Sequence, residues 1–179
     1  YLIVALSLIV QPARAQDKAL HVPATLVAET TAPKPGEAVM LAFEMRPQPG
    51  WHGYWENPGD AGYGMRLQWT LPDGVTAGAP QYPVPETLII SGLMNHVYEH
   101  DYAVLMPMEI SAAIKPGTRL PIKVKADWLS CTDKVCVPEG DTLSIELVAG
   151  DGAKTAEAAR RFDAWRAALP ARLDQQARY

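Results

Sequence analysis

The sequence predicts an all-β chain: an antiparallel sandwich with one amphipathic helix at its C-terminal end. Apolar residues recur at every second position in several segments, the period of a strand with one buried face. The chain carries 16 Pro and 13 Gly in 179 residues, too many prolines for a mostly helical protein, since each fixes φ and removes a backbone donor. Its length suits a single domain, and 48% apolar residues supply a sizeable core, which excludes wholesale disorder. The formal net charge is −4, with no basic stripe, so a nucleic-acid partner is not expected.

The first ten residues, YLIVALSLIV, form an uncharged apolar run, and Ala13-Arg14-Ala15 follows. An apolar segment of this length before an A-x-A site reads as a secretory signal cleaved after Ala15. It is too short for a bilayer, which needs about 20 residues. With no initiator Met or basic leader ahead of it, residues 1–15 are expected to be the remnant of a signal peptide. The alternative for the same run is a buried N-terminal strand. Export would place the chain in an oxidising compartment, where cysteines pair.

The strands follow in order. Residues 21–30 are a weaker candidate. In residues 37–46, Val39, Leu41, Phe43 and Met45 share a face. Residues 66–71 set Leu67, Trp69 and Leu71 against Arg66, Gln68 and Thr70, and residues 103–110 are again weaker. Residues 119–128 turn Leu120, Ile122, Val124, Ala126 and Trp128 inward and Arg119, Lys123, Lys125 and Asp127 to water, while residues 141–148 align Leu143, Ile145 and Leu147. Turn-forming clusters at residues 33–36, 57–60, 72–74 and 115–117 separate them. Six or more strands with such turns predict a sandwich of immunoglobulin type over residues 16–150. Residues 151–179 read as a helical tail, or a linker to a further domain. Within it Phe162, Trp165 and Leu169 fall on one helical face, with Asp151 as the expected cap and Pro170 as the stop.

Cys131 and Cys136 are the only cysteines and fall where the last two strands connect. A bridge closing so short a loop stabilises by about 2 kcal/mol, against about 4.7 for a 100-residue loop. A staple would do better joining distant strands, and a pair at an exposed loop is easily attacked by a thiolate. The spacing is not C-x-x-C and no helix starts there, so the thiols are not expected to be strongly acidic. From the residues alone three roles stay open: reversible redox exchange, an inert hairpin bridge, or metal binding.

The block Trp51-His52-Gly53-Tyr54-Trp55-Glu56-Asn57-Pro58-Gly59-Asp60-Ala61-Gly62 resembles the W-H-x-Y-W-x-N-P-G-D-x-G signature of the N-terminal periplasmic domain of DsbD/ScsB-type thiol:disulfide interchange proteins. Trp128-Leu129-Ser130-Cys131 through Cys136-Val137-Pro138 is similar to that family's redox segment, and residues 92–99 to its intervening loop. The likeness runs from Ala24 to Ala149. It implies an immunoglobulin-like domain working as a protein-disulfide reductase in a relay without a cofactor. A thioredoxin-like electron-donor domain would reload it, and periplasmic disulfide-containing proteins would be its substrates. Carried over by position, Cys136 would form the mixed disulfides and Cys131 would resolve them. A cap loop shielding the pair would lie in residues 91–100, with Leu93 and Met94 as the foremost cap residues and Tyr98 grouped with them. The spacing of four residues resembles the ScsB-like branch. The family's electron route implies a membrane-embedded domain and a thioredoxin-like domain elsewhere in the protein.

The other features have plainer readings. Trp51, Tyr54 and Trp55 are expected to plug one end of the sandwich rather than stack on a sugar. Residues 57–60 read as a structural turn whose Asn or Asp side chains satisfy backbone amides. His52, His96 and His100 would, with the cysteines, offer soft-metal ligands, as a copper-handling domain requires; the plainer reading is three scattered histidines. The remaining alternative is an exported binding module with a structural disulfide.

Overall fold

The computed structural model describes residues 19–171; the expected signal segment, residues 1–15, lies outside them. Among the described residues ten strands precede one helix: β1 Ala24–Ala28, β2 Ala38–Met45, β3 Gly53–Gly59, β4 Arg66–Thr70, β5 Val75–Ala77, β6 Glu86–Ile90, β7 Leu93–Tyr98, β8 Tyr102–Ile110, β9 Arg119–Cys131, β10 Cys136–Val148 and α1 Ala156–Ala167. They form three antiparallel sheets, ordered β1-β2-β8-β5, β10-β9-β4 and β3-β7-β6.

The first two sheets pack face to face, and the period-two pattern explains why. Val39, Leu41, Phe43 and Met45 of β2, with Val104, Met106 and Met108 of β8, meet Leu120, Ile122, Val124, Ala126 and Trp128 of β9 in one core. Arg119, Lys123 and Lys125 stay exposed on the other face of β9, as alternation dictates. The strand pairs β2–β8 and β9–β10 run in unbroken register.

The helix docks on the outer face of the first sheet. Phe162 is buried against Ala42, Ala103 and Leu105, with Trp165 and Leu169 packed beside it, the apolar face expected from their spacing. The cap differs from the expectation. Thr155 is the N-cap, its hydroxyl accepting from the Ala158 amide at 3.1 Å. Asp151 instead accepts from Ala153 and shapes the loop before the helix. The capping oxygen must sit next to the first helical residue to reach an orphan amide, and Asp151 stands too far upstream. Charge fastens the same face: Lys154 and Arg166 hold the buried Glu29 at 2.9 and 2.6 Å, and Arg161 reaches Glu44.

The third sheet was not foreseen. Residues 57–60 are not a tight turn: Asn57, Pro58 and Gly59 continue β3, and the register against β7 slips between Tyr54 and Gly59. The polar side chains do serve backbone amides. The Asp60 carboxylate accepts from Met94 N at 2.8 Å, and Asn57 Oδ1 accepts weakly from Gly59 N at 3.4 Å. Gly59 (φ +91°) meets the Met94 carbonyl where a side chain would stand, so the strand crossing itself requires glycine.

Candidate functional site: a half-buried disulfide under a hairpin

Cys131 closes β9 and Cys136 opens β10, and the two are direct cross-strand partners. The amide and carbonyl of Cys131 both turn away from Cys136, to His52, at 3.1 and 2.9 Å. The cysteines therefore occupy a non-hydrogen-bonded pair, the kind in which Cα atoms approach closest. A disulfide joins them across a Cα separation of 4.1 Å. Beyond it the chain reverses tightly. Thr132 N donates to the Val135 carbonyl at 2.8 Å, and the Thr132 hydroxyl accepts from the Lys134 and Val135 amides, each at 3.1 Å.

The two sulfur-bearing residues are not equivalent. Cys131 is 0% exposed, whereas Cys136 is exposed. Cys131 and Leu129 lie on the face of β9 opposite the main core, and the third sheet folds over them. Tyr54 and Val97 pack there with Leu88 and Tyr63 around them. Leu93, Asn95 and Val97 recur at alternate positions of β7, hence on one face, and their β6 and β3 partners Ile90, Leu88 and Tyr54 share it. A cavity of about 250 Å³ lies between this face and the disulfide hairpin, lined by Cys136, Val135, Leu93, Asn95, Ile90 and Tyr54.

The expected cap residues are distributed unevenly. The segment is a β-hairpin rather than a loop, β6 and β7 joined at Ser91 and Gly92, both at positive φ (+52° and +84°). Leu93 lines the cavity at Cys136. Met94 projects from the opposite face of β7, paired with the exposed Ile89, while its backbone is held by Asp60. Tyr98 lies away from the cavity: it is buried, stacked on Tyr102 at 4.0 Å, and donates to the Pro83 carbonyl at 2.7 Å. Ile90 and Asn95 complete the cover and were missed. The Ser-Gly pair between two apolar runs was the available hairpin signal.

Of the residues lining the cavity, only Asp133 and Lys134, in the loop between the cysteines, carry charge. His52 is buried and its Nε2 lies 3.4 Å from the Tyr54 hydroxyl. Burial pushes the His52 pKa down and the Tyr54 pKa up, so both are neutral at neutral pH. Glu139 is buried close by in sequence but is fully engaged. Its carboxylate accepts from Ser130 Oγ at 2.6 Å, from the His21 and Val22 amides and from His21 Nδ1. Burial raises its pKa, but these hydrogen bonds outweigh that and hold it below the usual carboxylate value. The structure does not gather the histidines. His96 Nδ1 donates to the Asn57 carbonyl and His100 sits beside Glu86. Among the described residues no three metal-type side chains converge. Trp51 stacks on His21 at 3.6 Å and, with Trp55, packs on the main core.

No curated protein matches the chain by sequence. Among solved structures it is similar to the N-terminal periplasmic domain of ScsB from Proteus mirabilis, with a TM-score of 0.61 and 17% identity, covering 87% of this chain and 57% of that one. The chain thus spans little more than half of that relative's length, and the likeness shows the fold. Weaker matches are the reduced Neisseria meningitidis DsbD n-terminal domain (TM-score 0.37, 14% identity, covering 75% of this chain and 89% of that one) and the complex between the DsbD N-terminal and PilB N-terminal domains of the same organism (0.35, 16%, 73% and 87%). A family model described as the N-terminal part of the thiol:disulfide interchange protein DsbD matches residues 18–147. With its cross-strand disulfide Cys131–Cys136 in an immunoglobulin-like sandwich, the chain belongs to the family of DsbD N-terminal domains, a thiol:disulfide interchange family.

Proposed function

We propose that this domain is a protein-disulfide reductase in an electron relay, with Cys136 as the sulfur that partners meet and Cys131 as the resolving sulfur. The observation that supports the assignment is the exposure difference: Cys136 reaches the surface and Cys131 does not. In the reduced domain the Cys136 thiolate attacks a substrate disulfide, forming a mixed disulfide and releasing one substrate thiolate. Cys131 then attacks Cys136 Sγ, restores the internal bond and releases the second substrate sulfur as a thiol. Reloading runs the reverse way: a donor thiolate attacks Cys136 Sγ and Cys131 leaves, taking up a proton; the donor's second thiolate then attacks the donor sulfur of that mixed disulfide, closing the donor's own disulfide and releasing Cys136 as a thiol.

The donor we propose is a thioredoxin-like domain and the acceptors are disulfide-containing proteins of the periplasm. The apolar run ahead of Ala15 and the periplasmic setting of the ScsB domain support that compartment. No helix among the described residues is long and apolar enough to cross a membrane. The tip of the β6–β7 hairpin, with Leu93 and Ile90 over the cavity, serves as the cap and must shift for a partner's sulfur to reach Cys136 in line with the disulfide.

Offered a reduced thioredoxin-fold donor and a disulfide substrate, the native domain should carry electrons between them. Cys136→Ser should abolish transfer, and Cys131→Ser should accumulate a partner mixed disulfide on Cys136, visible as a thiol-sensitive adduct on a non-reducing gel. Transfer at native rate by Cys136→Ser would overturn the assignment. A reduction potential below about −300 mV would instead mark the pair as a structural bridge.

A further inference from the structure

One polar residue interrupts the apolar cover above the disulfide. Asn95 stands on β7 between Leu93, at the cavity, and Val97, in the cluster around Cys131. It is 2% exposed. Its amide nitrogen donates to the Leu93 carbonyl at 3.1 Å and weakly to the Leu88 carbonyl at 3.5 Å. Both neighbours are acceptors only, so the nitrogen must face them, which fixes the orientation of the amide. Its oxygen, Oδ1, is then buried with no donor. An orphaned buried acceptor is destabilising, and in this position a leucine or valine would continue the apolar face without that cost.

A disulfide has no hydrogen to donate, whereas a thiol has one. Reduction of the pair consumes two electrons and two protons and converts Cys131 Sγ–Sγ Cys136 into two S–H groups. Cys136 and Asn95 line the same cavity, Asn95 from the hairpin above it and Cys136 from the disulfide side. We propose that Asn95 is a positioning residue that tunes the redox equilibrium: its Oδ1 accepts a hydrogen bond from the Cys136 thiol in the reduced domain. The dithiol form gains a bond that the disulfide form cannot make, which raises the reduction potential and holds the Cys136 thiol in a fixed orientation beneath the hairpin. The inference rests on the reading that the pair cycles.

The test is the equilibrium of the domain with dithiothreitol, in which the electrons and protons come from the small dithiol as it closes to its cyclic disulfide. Asn95→Leu should shift the equilibrium constant roughly tenfold toward the domain's disulfide, equivalent to a potential lower by about 30 mV. A change within twofold, or a shift toward the dithiol, overturns the proposal. Unfolding midpoints of the oxidised and reduced forms, measured separately, exclude a merely structural role, which would move both alike; the proposal requires the gap between them to change. The native protein provides a second measurement that does not depend on the variant folding. Its reduced form should show one S–H infrared band displaced to low frequency and lost in Cys136→Ser. Absence of a displaced band, or its loss only in Cys131→Ser, overturns the assignment. The dithiothreitol equilibrium reads the pair alone and the transfer assay reads partner exchange. A shift without transfer removes only the relay, and transfer without a shift removes only the role of Asn95.

Discussion

At the scale of single residues, a carboxylate adds to the ladder that holds the disulfide hairpin. Glu139 gathers donors from two distant stretches of chain, Ser130 on β9 and the His21–Val22 segment ahead of β1. Glu139→Ala would leave a buried hydroxyl and two backbone amides without an acceptor. The expected loss is about 3 kcal/mol of unfolding free energy, while Glu139→Gln, which keeps one acceptor oxygen, should cost about 1 kcal/mol. Equilibrium urea unfolding measures both, and equal small losses would show that solvent replaces the carboxylate. The cysteine pair was legible in the sequence because the chain has only two, spaced to face each other across a hairpin. The company they keep was not. His52 pairs with Cys131 through main-chain atoms only, and Glu139 meets His21 across 118 positions. Contacts of that kind leave no local pattern.

At the scale of elements, strands with one wet face announced themselves and strands at the cover did not. β2, β4, β9 and β10 alternate because one face meets the core and the other meets water over most of its length, except where the helix covers Ala42 of β2 and the third sheet covers Leu129 and Cys131 of β9. β3 carries a proline and a glycine and slips in register, and β6 and β7 mix buried and exposed apolar residues, so period two is blurred there. The turn between β6 and β7 offers a direct handle on the hairpin over the disulfide. Ser91 and Gly92 both sit at positive φ, which suits a two-residue hairpin but burdens a side chain at either place. Gly92 has open space around it, so Gly92→Ala should cost about 1 kcal/mol through backbone strain alone. Ser91→Asn should tighten the turn, since asparagine tolerates that conformation better. If the hairpin shields the disulfide, dithiothreitol should reduce the alanine variant faster than the native domain and the asparagine variant more slowly; identical rates would mean the hairpin is no barrier. The helix gives a control remote from the site. Phe162→Ala removes the buried anchor of α1 and should cost about 3 kcal/mol in urea unfolding, and a cost below about 1 kcal/mol would show that the helix is not docked in solution.

At the scale of the whole molecule, the charges that fasten its parts together all favour the same side of neutrality. Glu29, just after β1, holds Lys154 ahead of the helix and Arg166 within it, Glu44 binds the helix to β2 through Arg161, and Glu139 binds the N-terminal segment to the disulfide hairpin. Burial pushes each of these carboxyls up, but their charged and hydrogen-bonding partners outweigh it and leave all three below the ordinary value of 4.5. Their contribution is complete above pH 4.5 and is lost as pH falls through the depressed folded values. His52 adds an earlier loss. Burial holds its folded pKa below 6.5, so the unfolded chain takes up a proton first, and stability falls as pH drops below 6.5 toward the folded value. The unfolding midpoint should therefore decline in two stages on acidification, a shallow one beginning near pH 6.5 and a steeper one below pH 4.5. His52→Gln should flatten the first stage and leave the second, whereas Glu29→Gln combined with Glu44→Gln should weaken the second and leave the first. A native midpoint that stays constant from pH 7 to pH 5 would show that His52 takes up its proton as easily in the folded domain as in the unfolded chain, and that the wall beside the disulfide is open to water.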